Sequence, residues 1–212
     1  SSANMLAEEA DVVVAVGTRL QDFTTGSWSV FGNEQMRLIA INAARYDAHK
    51  HRALSVVGDA LAGIEELGQA MGGWKAPDPW MSQSRSLYAE WNTTVEQHSG
   101  PTTDVPPSYA HVIGAVNRVC DETDLALTAA GGFPGELCKN WKTKSSGTFD
   151  CEFGFSCMGY EIAGGWGAKM ADPDRDVIVF VGDGSYMMMN SDIYSSVLTG
   201  HKLIIIVCDN GG

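Results

Sequence analysis

The chain has 212 residues, 44% of them hydrophobic and 24 of them glycine, and it carries a net charge of −12 at pH 7. This composition suits a globular α/β protein, either one large domain or parts of two. The acidity argues against nucleic acid, whose phosphates need a basic footprint, and no apolar run is long enough to predict a transmembrane helix.

Residues 1–10 lack the basic and apolar regions of a signal peptide. The five cysteines (Cys120, Cys138, Cys151, Cys157 and Cys208) are odd in number and form no C-x-x-C pair. They read as free thiols of a reduced, cytoplasmic protein, and the spacing of Cys151 and Cys157 fits no common zinc framework. The chain starts at Ser1 without a methionine and stops in a glycine turn at Gly212, so a fragment is expected.

Residues 1–72 read as helix, strand, loop, strand, helix, which is half of a Rossmann-like sheet. DVVVAV at 11–16 and LIAIN at 38–42 are buried strands, and Asp59 caps a helix over 60–71. No GxGxxG fingerprint accompanies them, so no separate nucleotide site is predicted here. His49 and His51, set among Lys50 and Arg52, read as a solvated basic patch. Residues 73–104 are punctuated by glycine and proline and read as a linker holding one helix over 80–96.

Residues 105–212 form a second unit. Ser108 caps a helix to about 120, DLALT at 124–128 is a strand, and Gly131-Gly132 is the turn at its end. Residues 134–155 read as one long loop, and long loops at strand ends are often functional. The glycine-rich stretch FSCMGYEIAGGWGAKMA reads as a helix that must pack closely on a sheet or cofactor to offset its poor propensity. VIVFV at 177–181 is a strand buried on both faces, ending in Gly182-Asp183-Gly184-Ser185. The two glycines predict a tight turn of positive φ. A helix over 191–198 and a strand over 203–208 follow, the latter ending in Asp209-Asn210. A carboxylate and a carboxamide thus stand at the carboxyl ends of neighbouring strands, where open parallel sheets bind ligands. Hard oxygen donors of this kind suit Mg²⁺.

GDGS, a helix, and a second strand ending in Asn resemble the thiamine-diphosphate signature of the acetolactate synthase and pyruvate decarboxylase superfamily. The resemblance implies a fold in which part of a Rossmann-like middle domain (1–72) and a linker (73–104) precede a parallel-sheet diphosphate-binding domain (105–212), truncated at its C-terminus. It implies that Asp183, Asn210 and the carbonyl of Gly212 bind Mg²⁺, and that Gly182, Gly184 and Ser185, with Gly131 and Gly132, contact the diphosphate. Ser185 is implied to offer its hydroxyl as well as its N–H. Met158 occupies the position of the apolar wedge that bends thiamine diphosphate, and its N–H and the Ser156 carbonyl match the positions that bind the aminopyrimidine. The superfamily usually shows Asn-Asn where this chain has Asp209-Asn210, with the metal-binding Asn kept.

The same resemblance implies that the activating glutamate lies outside this chain, on the pyrimidine-binding domain of a partner subunit in a homodimer or homotetramer. Glu136 and Glu161 are poor substitutes for it, and the chain alone is expected to be inactive. Within the superfamily, GTRLQDFTTGSW together with CEFGFSCMGYEIAGGWGAKMA resembles members that hydrolyse a C–C bond of a cyclic 1,2-diketone in inositol catabolism. Oxo-acid carboligation is the alternative activity. A regulatory domain derived from the fold, or a metal and diphosphate module indifferent to thiamine, are the readings from other classes.

Overall fold

The computed structural model describes residues 1–152 and 154–211. The chain divides into two compact units, Ser1–Thr93 and Thr94–Gly212. The division falls inside one long helix rather than in an extended linker.

In the first unit, α1 (Ser2–Glu9) leads into β1 (Val12–Val16), and the short α2 (Asp22–Thr25) precedes β2 (Arg37–Asn42). α3 (Arg45–Ala48), β3 (Leu54–Val57) and α4 (Ala60–Met71) follow. The sheet is parallel in the order β1-β2-β3. Ala15, Leu20 and Leu38 form a small core joined by Trp28 and Met36. On β2, Ile41 touches Gly63 of α4 so closely that a Cβ there would lie 2.7 Å from Ile41 Cγ2. Asp59 caps α4 as its sequence implies, its carboxylate accepting from the Ala62 N–H at 3.0 Å. The expected solvated histidine pair is more ordered than its composition suggests. His51 stacks on Trp28 with ring centroids 4.0 Å apart, and His49 bonds to the Arg45 carbonyl and the Ser55 hydroxyl. A cavity of about 830 Å³ opens at the N-terminal ends of these strands, lined by Val12, Trp28, Arg37, His51 and Leu54. That is the end opposite to where parallel sheets hold ligands.

α5 (Asp78–His98) exceeds the helix expected over 80–96 by two residues at each end. In the second unit α6 (Tyr109–Val119) is capped by Ser108, whose hydroxyl accepts from the His111 N–H. Then come β4 (Leu125–Thr128), α7 (Phe133–Asn140), β5 (Phe149–Cys151) and α8 (Tyr160–Ala171). β6 (Val177–Gly182), α9 (Asp183–Met189), α10 (Ser191–Leu198) and β7 (Ile204–Cys208) close the described chain. The loop expected over 134–155 therefore contains a helix and a strand. Phe133, Pro134 and Leu137 bury one side of α7, a pattern too short to stand out in a stretch with glycine and proline. β5 has only three residues, each half-buried.

The second sheet is parallel in the order β5-β4-β6-β7. Its two faces have separate cores. Ala126, Ile178 and Phe180 face α6 and α7 through Ile113, Phe133 and Leu137. Leu125, Val177, Val179 and Val181 form the other core, which Ala168 of α8 joins. The alternation along β6 explains its unbroken apolar run, because both faces are covered. From β4 the chain moves first outward to β5 and then back past β4 to β6. The topological switch point therefore lies between β4 and β6, and their carboxyl ends frame the crevice where doubly wound sheets bind ligands.

Candidate functional site at the carboxyl ends of the second sheet

The ends of β4, β6 and β7 and the start of α8 supply the candidate site. Ala130 is buried at the end of β4, and Gly131 follows at φ +83° with Gly132 exposed beside it. On β6, α9 begins at Asp183 without an intervening loop, and Gly182 has φ −77° and ψ 161°. The positive-φ turn expected of the GDG triplet is thus absent: Gly182 and Gly184 are not in the left-handed region, whereas Gly131, Gly159 and Gly211 around the site are. At Gly184 the requirement is close approach instead, since a Cβ there would lie 3.3 Å from Met158 Cε.

Asp183 is half-buried in the first turn of α9, where backbone N–H groups have no intrahelical acceptor. β7 runs beside β6 with Cys208 opposite Gly182, so the chain leaves β7 at Asp209 alongside the strand end from which α9 starts. The Gly211 N–H donates to Asp209 Oδ1 at 3.0 Å and folds the chain back in a local turn. Asn210 donates its side-chain N–H to the Tyr109 hydroxyl at 3.3 Å. Gly212, expected to supply a carbonyl ligand, lies outside the described residues.

Tyr109 escaped the sequence reading. It touches two segments of the site: its hydroxyl accepts from Asn210, and a Cβ on Gly132 would lie 3.3 Å from its ring, which packs edge-on against Phe133. Its only sequence signal is its place just after the Ser108 cap.

Met158 is 47% exposed, which is unlike a core-filling methionine. Gly159 follows at φ +92° as the cap of α8, and a Cβ there would collide with Met189 Cγ at 2.4 Å. The segment before Met158 wraps a carboxylate: Glu152 accepts the N–H groups of Phe155 at 2.8 Å and Cys157 at 2.9 Å. These bonds hold the Glu152 carboxyl below its ordinary range. Ser156 sits between them in the left-handed region, φ 52°.

Ser185 departs from its expected role. It is 3% exposed, and its hydroxyl donates to Glu161 Oε2 at 2.7 Å while accepting the Gly159 N–H at 2.7 Å. The hydroxyl therefore serves the interior, and the backbone N–H is the group Ser185 can present to an anion. Glu161, fully buried in the first turn of α8, also accepts from the N–H groups of Ala130 and Gly159, both at 2.9 Å.

These donors fit a metal-bound diphosphate. A carboxylate and a carboxamide stand at adjacent strand ends, with helix-start N–H groups beside them. Open glycine backbone flanks them on β4, and a half-exposed apolar side chain covers Gly184.

A doubly wound parallel sheet with hard oxygen donors and glycine-rich loops at its carboxyl ends defines a phosphate-cofactor-binding domain. Residues 1–67 match the central domain of thiamine pyrophosphate enzymes, and residues 129–212 match their C-terminal thiamine pyrophosphate binding domain. The chain belongs to the thiamine pyrophosphate enzymes. Among curated relatives it is 37% identical over 234 residues to the 3D-(3,5/4)-trihydroxycyclohexane-1,2-dione hydrolase of Geobacillus thermodenitrificans, and 34% identical over 235 residues to the protein of the same name from Bacillus cereus strain AH820. Both alignments cover 100% of this chain and 36% of the relative, so the chain spans little more than a third of their length. No helix among the described residues is long and apolar enough to cross a membrane.

Proposed function

We propose that residues 105–212 hold the diphosphate end of thiamine diphosphate through Mg²⁺, in an enzyme that opens a cyclic 1,2-diketone by C–C hydrolysis in inositol catabolism. The observation that carries the reading is the register that sets Cys208 opposite Gly182, so that the ends of β6 and β7 lie side by side, beside the Met158 and Gly184 contact. Asp183, Asn210 and the Gly212 carbonyl are the proposed metal ligands. The N–H groups of Gly184 and Ser185, with Gly131 and Gly132, are proposed to receive the diphosphate, and Gly182 brings the backbone to it. Met158 is the proposed wedge, with its N–H and the Ser156 carbonyl on the aminopyrimidine. Bound thiamine diphosphate supplies a nucleophilic carbon and an electron sink for breaking a bond beside a carbonyl.

The substrate class follows from the names of the relatives and the resemblance of the two quoted segments. In this reading residues 1–72 are the end of a middle domain and residues 73–104 join it to the cofactor domain. Glu161 is sequestered, and Glu136 accepts from the Asn140 side chain at 2.9 Å. As the family resemblance implies, the activating glutamate is assigned to the pyrimidine-binding domain of a partner subunit, in a cytoplasmic homodimer or homotetramer.

Calorimetric titration of the full-length protein with thiamine diphosphate, with and without Mg²⁺, tests the site. Metal-dependent binding that Asp183→Asn abolishes is the expected result. Wild-type protein that ignores thiamine diphosphate overturns the assignment. Product analysis tests the reaction: ring-opened acid from a cyclic 1,2-diketone supports it, and condensation of two oxo acids instead identifies a carboligase.

A further inference from the structure

The carboxylate of Glu161 is buried among donors from three separate segments. Oε1 accepts from Ala130, which immediately precedes Gly131-Gly132. Oε2 accepts from the N–H of Gly159, which directly follows Met158, and from the hydroxyl of Ser185, two residues beyond Asp183. The Gly159 N–H also reaches Ser185 Oγ, closing a small ring of bonds. Each segment is one that presents a residue to the cofactor in the reading above, and each converges on the same two oxygens.

An ionised carboxylate only accepts hydrogen bonds. Burying one is costly unless it is well bonded, and three donors meet that need. An apolar residue at this place would strand the Ala130 N–H and the Ser185 hydroxyl, each a costly buried group, and leave the Gly159 N–H to Ser185 Oγ alone. Such a hub fixes the relative positions of the β4 turn, the Met158 wedge and the GDGS helix start without touching the cofactor. We infer that Glu161 is the positioning residue of the diphosphate site, setting the spacing of its three loops through Ala130, Gly159 and Ser185. The inference rests on the cofactor reading above.

The test uses the full-length protein and compares Glu161→Gln, Glu161→Asp, Ser185→Ala and a neighbouring core control, Ile162→Val. Glutamine keeps the shape but turns one acceptor into a donor, so at least one N–H or hydroxyl faces a like group. Two readouts are taken: the affinity for thiamine diphosphate at fixed Mg²⁺, and amide exchange around Ala130 and Gly159 without cofactor. Glu161→Gln is expected to weaken the affinity about 10- to 100-fold, the usual effect of losing an outer-shell partner, and to speed exchange in both segments. Aspartate, which keeps the acceptors, recovers part of the affinity. Ser185→Ala weakens binding and adds little when combined with Glu161→Gln, because both break one network. Ile162→Val lowers the melting temperature and leaves the affinity unchanged.

Wild-type affinity in Glu161→Gln, or an affinity loss matched by Ile162→Val at equal melting temperature, overturns the inference. If Glu161→Gln fails to fold, unchanged affinity in Ser185→Ala overturns it. Loss of binding in Asp183→Asn beside normal binding in Glu161→Gln leaves the cofactor site standing and removes only the positioning role. Wild-type protein without metal-dependent binding removes both.

Discussion

Met158 reaches over Gly184: its Cε lies 3.3 Å from where a Cβ on Gly184 would stand, yet the methionine is 47% exposed. The pair joins the start of α8 to the start of α9 and leaves one flank of the Met158 side chain uncovered at the site.

That half-exposure separates binding from stability. Met158→Ala costs the free protein only the part of the side chain that is already covered, whereas a bound cofactor would cover the rest of it. The expected loss is about 1–2 kcal/mol of binding, roughly a 5- to 30-fold weaker affinity, with the melting temperature nearly unchanged. Met158→Leu is expected to keep most of the affinity. Titration calorimetry and thermal denaturation on the same samples check it; equal losses in both would make Met158 a packing residue.

Two glycines of α8 should respond in opposite directions to alanine. A Cβ on Gly165 would lie 2.5 Å from Val179 Cγ2, while one on Gly167 meets nothing within 4 Å. Alanine in a helix gains about 1 kcal/mol over glycine, and Gly167→Ala is expected to raise stability by up to that amount. At Gly165 overpacking of about 1–3 kcal/mol opposes the gain, so Gly165→Ala is neutral to destabilising by about 2 kcal/mol. Adding Val179→Ala removes the clash and should cost less than the two single changes together. Urea denaturation midpoints measure all four proteins.

Cys138 of α7 and Cys151 of β5 form a pair of unequal thiols, both unbridged. The Cys151 side chain hydrogen-bonds to Cys138 and lowers the Cys138 thiol from 9.0 to about 7, while the same bond pushes Cys151 up. The thiolate is the nucleophile, so iodoacetamide should label Cys138 before Cys151, with a rate that rises through about pH 7. Cys151→Ala removes the donor and should shift that rise to higher pH. Peptide mass spectrometry of time-quenched samples reads both sites.

Acid should loosen the segment that carries Met158. The Glu152 carboxyl lies below its ordinary value of 4.5 because the N–H groups of Cys157 and Phe155 bond to the charged form. A depressed pKa contributes stability that is complete above the ordinary value and is lost as pH falls through the lowered one. The protection of the Phe155 and Cys157 amides, taken as exchange relative to the intrinsic rate at the same pH, is therefore expected to be high near neutrality and lower below the ordinary carboxylate range. In Glu152→Gln it should be low at both. The side chain is solvent-screened, so the effect on global stability is small.

Local pattern made much of this protein legible. Unbroken apolar runs marked β6 and β7 as strands, β6 covered on both faces and β7 half-buried at the sheet edge. Asp59 and Ser108 announced two helix starts, and strand-end chemistry pointed to Asp183 and Asn210 as candidates. All of these depend on residues close in sequence, with periods that a short window captures. The tertiary structure alone decided the rest. α7 and β5 are too short to show a period, and they form because β4 and the α6 face give them something to pack against. The glycines of the GDG triplet looked like a positive-φ turn, but Gly184 meets a methionine from a distant segment instead. Ser185 looked like a ligand, and its hydroxyl is claimed by Glu161, 24 residues away. Glu161 itself sits in a glycine-rich helix with nothing in its neighbourhood to mark it. Its importance comes from three donors that only the assembled sheet brings to one point, and sequence spacing holds no trace of such a convergence.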